Sequence, residues 1–209
     1  MNIHTNTGGL AVTNAYLIAD ETTGVAALID APHNTVAPLL NVAKHNNWSI
    51  KYLLLTHGHW DHIGDHKVLT DQYPEARVLI HSLDEPKLAA PGSLLFPLPY
   101  KIPPRKADGY LDDGRIIHIG NLEFTVLFTP GHSPGHVVLY CPAESLLMAG
   151  DLLFAGTVGR TDLPDSNPDD MQQSLRRVAA LPDQTVVRPG HGPPTTIAAE
   201  KQSNPFLNF

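Results

Sequence analysis

The stretch "LLLTHGHWDHIGDH", residues 53–66, joins an apolar run to four histidines and two aspartates. The segment "IKYLLLT" before the first histidine is rich in large apolar residues, which predicts a buried strand. A strand that merely ended at the surface would be followed by glycine, asparagine or serine. Histidines at this place instead indicate functional side chains at the end of a rigid strand.

Three later apolar runs end in the same way. The run "VLFTP" leads to His132, "SLLMA" leads to Asp151 and "VVRP" leads to His191. Each of these residues follows a glycine, which lets the backbone turn sharply. The four strand ends together supply seven side chains that can bind a metal, namely His57, His59, Asp61, His62, His132, Asp151 and His191.

The spacing of the first cluster predicts a centre for two ions. Two histidines separated by one residue on extended backbone point the same way, so His57 and His59 can grip one ion. Asp61 and His62 stand where the chain turns into a helix and can reach a second ion. Imidazole and carboxylate ligands suit zinc, iron or manganese, and the absence of cysteine favours an open catalytic site over a closed structural zinc site.

A plainer interpretation treats these residues as helix caps and turns. Asp61 could cap the next helix, and any one histidine taken alone is more often a turn residue than a ligand. The dense cluster together with three further strand-end residues favours the metal site. His66 and His136 stay open, and we expect His136 to orient a ligand or to pack beneath the site. We interpret the remaining histidines as surface or strand residues: His4, His33, His45, His81 and His118.

The order of apolar runs predicts one α/β domain over residues 1–209. A hairpin is expected from "AYLIAD" and "GVAALID", then helices at 34–47 and 64–73 on either side of "IKYLLLT", and a strand at "ARVLIHS". Four short strands follow between 115 and 150, then a helix near 168–181 and a strand at "TVVRPG". This order indicates two packed sheets with helices outside. The proline-rich segment 97–114 is expected to be a surface loop that borders a cleft.

Composition excludes several classes of protein. The formal net charge of −7 argues against a nucleic-acid partner, because phosphate binding needs clustered lysine and arginine. No apolar stretch approaches the roughly 18 residues that would cross a membrane, so a cytoplasmic protein is expected. The single Cys141 fits a reducing compartment. We expect a monomer or a small homo-oligomer. Aromatic residues such as Phe96 and Phe209 could cover a cleft or an interface, but packing on their own domain is the simpler interpretation.

The motifs "THGHWDH", "TPGHSPGH", "GD" and "PGHG", in this order, resemble those of the metallo-β-lactamase superfamily. Within it, "TPGHSPGHVVLY", "GRTDLP" and "SNPFL" are similar to segments of the glyoxalase II group, in a short form without a C-terminal helical region. The resemblance implies an αββα sandwich of two mixed β-sheets flanked by helices. It also implies two divalent metal ions, zinc first, with iron or manganese as alternatives. One ion would bind His57, His59 and His132, the other Asp61, His62 and His191, with Asp151 bridging them.

The same resemblance implies a metal-dependent thioester hydrolase. Its small-molecule substrate would be S-lactoylglutathione or a related hydroxyacyl thioester, cleaved through a hydroxide shared between the ions, with Asp61 and Asp151 as the catalytic carboxylates. Arg160 would bind a substrate carboxylate, although it could equally pair with Asp162 or Asp165. Two departures weaken the expected grip on glutathione, because Asp162 stands where an aromatic residue is expected and Pro193 where a tyrosine is expected.

Several alternatives remain open from the sequence. A persulfide dioxygenase with a single iron shares the "GRTD" loop, but it usually has cysteine where this chain has His136. A hydrolase of another ester or thioester would use the same residues. The ligand pattern of a β-lactamase matches this chain less well. Relatives that process RNA need basic surfaces, which this acidic chain lacks. A metal-binding module without turnover would usually lack one of the seven ligands.

Overall fold

The computed structural model of the protein describes residues 1–209. A first six-stranded sheet is built from β1 (Asn2–Gly8), β2 (Thr13–Asp20), β3 (Val25–Ile29), β4 (Ser49–Leu54), β5 (Arg77–Ile80) and β6 (Gly109–Tyr110). The strands lie in sequence order. The pairs β1–β2 and β2–β3 are antiparallel, whereas β3–β4, β4–β5 and β5–β6 are parallel, so the sheet is mixed.

A second six-stranded sheet contains most of the later strands. Its six strands are β7 (Ile116–Ile119), β8 (Leu122–Phe128), β9 (Val137–Cys141), β10 (Leu146–Gly150), β13 (Val186–Pro189) and β14 (Thr195–Thr196). Between β10 and β13 the chain forms a small separate hairpin of β11 (Leu153–Phe154) and β12 (Thr157–Val158). The sheet order is β14-β13-β10-β9-β8-β7. Its pairs are antiparallel except for β10–β13, which is parallel.

Six helices complete the fold: α1 (Val36–His45), α2 (Trp60–Ile63), α3 (His66–Gln72), α4 (Glu85–Ala89), α5 (Pro168–Ala179) and α6 (Ile197–Ser203). Single turns of 3-10 helix lie at Pro142–Glu144 and Pro205–Leu207. Helix α5 begins at a proline and is capped by Asn167, whose side chain accepts hydrogen bonds from the next two free N–H groups. None of the helices has the length and apolar character needed to cross a membrane.

Alternation along the strands separates the interior into layers. On β2 and β4, Leu17 and Leu53 face helix α1, while Ile18 and Leu54 face the second sheet. Strands β9 and β10 likewise send every other residue towards α5, which buries Leu175 there. The layers are therefore helix, sheet, sheet, helix, which confirms the expected αββα sandwich with two mixed sheets.

The structure confirms the interpretation of the apolar runs for the hairpin β2–β3, for the helices expected at 34–47 and 168–181, and for β7, β8, β9, β10 and β13 of the second sheet. Strand β14 was not predicted. Strand β1 is an addition, because its sequence "NIHTNTG" has no apolar run and it joins the sheet edge through backbone pairing with β2. The segment 97–114 also differs from a simple surface loop. It contains β6, and it buries Ile102 and Leu111 in the interior.

The sheets bring four chain segments to one edge of the sandwich. Strands β4, β8, β10 and β13 end there, and the loops that follow contact one another. The backbone N–H of Val137, which directly follows the loop after β8, donates to the carbonyl of Thr56 after β4 at 2.9 Å. The backbone N–H of Gly190 after β13 donates to the carbonyl of Gly150 at the end of β10 at 2.7 Å. This edge carries every strand-end residue that the sequence singled out.

Candidate metal centre

The seven predicted side chains lie together at this edge, in three overlapping groups. The groups are His57, His59 and His132, then His57, His62 and Asp151, and finally Asp61, His62 and His191. Within each group the potential ligand atoms lie within 4.8 Å of one another. All of these side chains are buried or nearly so. Residues from four distant strand ends thus form one compact cluster of imidazoles and carboxylates.

Hydrogen bonds on the outer ring nitrogens orient three of the histidines. Nδ1 of His62 lies 2.8 Å from a carboxylate oxygen of Asp30. Nδ1 of His132 lies 2.9 Å from the carbonyl of Arg160, and Nδ1 of His191 lies 3.1 Å from the carbonyl of Ala11. Since carbonyl and carboxylate oxygens only accept, each Nδ1 donates, and each Nε2 turns towards the cluster. Such outer partners are typical of metal-binding histidines.

The hydroxyl proton of Thr56 determines which ring nitrogen of His57 is protonated. Oγ1 of Thr56 donates its single proton to Asp30, whose Oδ2 lies 2.9 Å away. Oγ1 of Thr56 also lies 3.1 Å from Nδ1 of His57, and since its proton is already donated to Asp30, it can only accept a hydrogen bond from that nitrogen. His57 therefore carries its proton on Nδ1 and presents a free lone pair on Nε2 to the cluster. Asp30 thus supports two histidines at once.

The bridging position between the groups is filled by Asp151. Its Oδ1 lies 3.2 Å from Nε2 of His62. Its Oδ2 lies 3.4 Å from Nε2 of His132 and 3.2 Å from Nε2 of His191. Asp61 lies to one side, 3.4 Å from His191. Only Asp151 reaches both the His132 side and the His191 side of the cluster.

Three inward atoms are buried without a hydrogen-bond partner, and they are Nε2 of His57, Nε2 of His62 and Oδ1 of Asp151. Each unpaired buried polar atom costs about 1–3 kcal/mol. All three carry lone pairs that converge on the same point, so a divalent cation would satisfy them together. The donor set of imidazole nitrogens and carboxylate oxygens therefore fits zinc, iron or manganese.

The charges in the cluster shift histidine pKa values in opposite directions. Burial and the neighbouring imidazoles lower the pKa of His57 well below its usual value. Burial also disfavours the charged form of His62 and His191, but nearby carboxylates, above all Asp151, outweigh it. The pKa of His62 rises well above its usual value, and that of His191 rises to about 9. The carboxylates thus draw positive charge into the cluster, and a proton or a metal cation can supply it.

A buried carboxylate outside the cluster, Asp84, joins two of the ligand-bearing loops. It accepts hydrogen bonds from the backbone N–H of Gly58 at 2.7 Å and from that of Gly135 at 2.9 Å. It also accepts from the hydroxyl of Ser133 at 2.8 Å and pairs with Lys87 at 2.8 Å. Asp84 was not among the predicted residues, because the segment "SLDEPK" has the pattern of an ordinary helix start.

The open and outlying histidines occupy different places. His66 lies outside the cluster, and its Nε2 is 2.8 Å from the carbonyl of Pro103. His136 lies directly beneath the cluster and is fully buried, which lowers its pKa to about 3 and keeps the ring neutral. Its Nδ1 lies 3.0 Å from the hydroxyl of Thr129. This place agrees with a residue that packs beneath the site.

Arg160 lies at the rim of a cavity that opens onto the cluster. The cavity has a volume of about 470 Å³, and five of the clustered residues form its floor: His59, Asp61, His132, Asp151 and His191. The guanidinium of Arg160 makes two hydrogen bonds to Asp162, at 2.6 and 2.7 Å. Asp165 instead lies 2.8 Å from Lys87 and 3.7 Å from Nε2 of His59. Of the two pairings expected for Arg160, the one with Asp162 is present.

Comparisons with known proteins agree with this geometry. A model of the metallo-beta-lactamase superfamily matches residues 8–191. The hydroxyacylglutathione hydrolase GloC of Haemophilus influenzae is 33% identical over 210 residues, which cover 93% of this chain and 92% of GloC. The crystal structure of the BLEG-1 B3 metallo-beta-lactamase has a TM-score of 0.91 at 33% identity and covers 100% of both chains. That of TTHA1623 in a di-iron-bound form has a TM-score of 0.84 at 38% identity, covering 98% of this chain and 100% of TTHA1623.

Proposed function

Because the chain belongs to the metallo-beta-lactamase superfamily, we propose that it is a metal-dependent hydrolase that cleaves thioesters as glyoxalase II does. The proposed substrate is S-lactoylglutathione or a related hydroxyacyl thioester. One observation carries the metal-dependent part, namely that buried, unpartnered ligand atoms converge beside an open cavity. The similarity to GloC over nearly the whole chain supports the thioester part.

The ligand atoms divide into two sets. One divalent ion would be held by His57, His59 and His132. The other would be held by Asp61, His62 and His191. Asp151 lies between the sets and would contact both ions. Zinc is the first expectation, and iron or manganese suit the same donors. Bound there, such ions would supply Lewis acidity and lower the pKa of a coordinated water.

Residues of the chain keep this geometry fixed. Asp30 and Thr56 orient the imidazoles of His62 and His57 so that their inner nitrogens face the cluster. Asp84 fixes the loops that follow β4 and β8 relative to each other. A preorganised site of this kind needs little rearrangement during the reaction.

The overall reaction uses one water molecule per thioester. The water oxygen forms a new bond to the acyl carbon, and the bond between that carbon and sulfur breaks. The sulfur leaves with its electron pair as a thiolate and takes up one of the two protons of the water, so the products are a carboxylic acid and a thiol. Because a thiolate is a good leaving group, the reaction does not demand a separate strong general acid, and the cavity need not provide one.

The test combines metal content with hydrolysis of S-lactoylglutathione by the same purified sample. We expect about two metal ions per chain and thiol release that a chelator abolishes. Asp151→Asn should lose metal and activity, because it removes the only carboxylate that reaches both sets. The matched control Asp183→Asn removes an exposed carboxylate paired with Lys201 and should retain both. A metal-replete sample that leaves thioesters intact would refute the proposal.

The other reactions considered for this centre are outcomes of the same experiment. An iron-loaded sample that consumes oxygen with glutathione persulfide, and leaves the thioester intact, would establish a dioxygenase instead. Cleavage of a cephalosporin in place of the thioester would point to the activity named for BLEG-1. A sample that binds metal and transforms none of these compounds would support a metal-binding module.

A further inference from the structure

The cavity above the metal centre has one apolar side. Beyond the floor, its lining contains seven hydrophobic residues, and three of them, Leu94, Leu95 and Phe96, follow one another in a loop. These three side chains are 56%, 57% and 44% exposed. Large apolar side chains grouped in this way at a cavity mouth mark a binding surface more often than chance exposure. We refer to Leu94, Leu95 and Phe96 as the apolar wall.

The apolar wall is held in place by local contacts. The hydroxyl of Ser93 accepts hydrogen bonds from the backbone N–H groups of Leu95 and Phe96, at 3.2 and 3.3 Å. The ring of Phe96 packs edge-to-face on Trp60, with ring centroids 5.5 Å apart. Trp60 directly follows the ligand His59 and also lines the cavity. The wall is thus continuous with the metal centre through a single aromatic contact.

The two basic residues in the cavity are already paired. Arg160 makes its two hydrogen bonds to Asp162. Lys87 lies 2.8 Å from both Asp84 and Asp165. A carboxylate on the substrate would have to compete with these ion pairs, whereas a hydrocarbon group would meet the apolar wall without competition. The chemistry of the cavity therefore favours an apolar substituent over an anionic one.

We propose that the apolar wall binds a hydrocarbon arm of the thioester while the reacting carbonyl lies over the metal centre. This inference rests on the proposed function and deepens it, because among thioesters it favours those with an apolar arm of several carbons over S-lactoylglutathione itself. The arm can belong to the acyl group or to the thiol, since both flank the same carbonyl. In either case, transfer of the arm from water to the wall supplies the binding energy.

Two substrate series distinguish the acyl arm from the thiol arm. The first keeps glutathione as the thiol and changes the acyl group from acetyl through butyryl and hexanoyl to octanoyl. The second keeps the lactoyl group and changes the thiol from N-acetylcysteamine to benzyl mercaptan. We expect kcat/KM to rise by up to about fourfold per added methylene in the series that uses the wall. Cys141 is buried, so it should not disturb the thiol assay.

A pair of phenylalanine variants tests the wall itself. Phe96→Ser should lower kcat/KM for the longest substrate of the responsive series by roughly three- to tenfold more than for the shortest substrate. The control is Phe209→Ser, which removes a ring that is 55% exposed and lies outside the cavity, and it should change neither value. An equal effect of Phe96→Ser on short and long substrates would overturn the proposal.

Equilibrium binding separates this inference from the proposed hydrolysis. Thioethers cannot be hydrolysed, so S-hexylglutathione and S-methylglutathione report the acyl side of the cavity by calorimetry, whatever the reaction. Methyl and benzyl thioethers of N-acetylcysteamine give a neutral version of the same comparison. We expect the larger apolar group to bind more than about tenfold tighter and Phe96→Ser to remove most of the gain.

The outcomes of these experiments are distinguishable. Thioester hydrolysis without any dependence on either arm, together with equal binding of long and short thioethers, refutes the apolar wall as a binding surface and leaves the hydrolase intact. Tighter binding of long thioethers, with no hydrolysis of any thioester, supports the wall and refutes the thioesterase. Dependence on both arm length and Phe96 supports the two together.

Discussion

The backbone N–H of Asp151 donates a hydrogen bond to Nε2 of His136, 3.0 Å away. Because Nε2 accepts, the proton of this imidazole is on Nδ1 and is donated to the hydroxyl of Thr129. His136 therefore acts on the metal centre through the backbone of the bridging carboxylate and binds no ion itself. This contact agrees with the interpretation of His136 as a residue that orients a ligand.

The first prediction concerns this contact. His136→Ala leaves the N–H of Asp151 buried without an acceptor, which costs about 1–3 kcal/mol, and also leaves a cavity beneath the centre. We expect weaker metal binding in a chelator competition, along with a lower unfolding midpoint. His136→Gln keeps an acceptor at the same height and should recover part of the metal affinity. Equal affinity of the alanine variant and the parent would contradict the positioning role.

A second prediction concerns the pH dependence of the metal-free protein. The pKa of His191 is raised to about 9 and that of His62 is also raised, so both bind protons more tightly in the folded state. The contribution of His191 to stability is complete below the unfolded pKa of about 6.5 and is lost as pH rises through about 9. The contribution of His62 has the same sign and is lost as pH rises through its own raised pKa. Denaturant unfolding in the presence of chelator should show stability falling across that window.

The metal-replete protein is the control for that measurement. Bound metal replaces the protons on His62 and His191, so metal affinity should increase with pH, and the loss of stability between about 6.5 and 9 should shrink. Histidines with lowered pKa values, such as His57 and His136, are neutral in the folded protein across this window, so they release no proton there when metal binds. If the stability of the metal-free protein instead rises with pH in this window, the carboxylates do not stabilise the protonated forms of these imidazoles.

The third prediction concerns Asp84. Asp84→Ala removes the acceptor for Gly58 and Gly135 and leaves Lys87 without one of its partners. Breaking such a buried pair is expected to cost about 3 kcal/mol in denaturant unfolding. Metal affinity should fall as well, because both loops loosen. The double variant with Lys87→Met should regain part of the stability, whereas the exposed control Asp183→Ala should not differ measurably from the parent.

The fourth prediction concerns Gly190, which precedes the ligand His191. A β-carbon at this position would meet the carboxylate of Asp151 and would come within 2.8 Å of the ring of His62. Gly190→Ala should therefore lower metal content far more than it lowers the unfolding midpoint of the metal-free protein. Gly92→Ala, where a β-carbon meets nothing within 4 Å, is the control for metal content. Normal metal content in the Gly190 variant would contradict the packing described for the centre.

The strands of the sandwich and the clustered side chains were predictable because each signal is local. Every one of the seven residues stands within a few positions of an apolar run, and the runs themselves carry the periodicity of buried strands. Asp84 was not predictable, because its role comes from contacts with Gly58 and Gly135, 26 and 51 residues away. Strand β1 was missed for a related reason, since its place depends on backbone pairing rather than on apolar side chains.

Residues 11–14 and 189–191 are far apart in the sequence but meet at the metal centre, and this separation governs when the centre can form. The amide of Asn14 donates to the carbonyl of Pro189, 175 residues away, and the carbonyl of Ala11 orients His191. During synthesis the last ligand leaves the ribosome only after nearly all of the sandwich has been made. We expect truncated nascent chains to bind metal poorly and the full set of ligands to assemble in a late folding step, with the slow closure that such distant contacts impose.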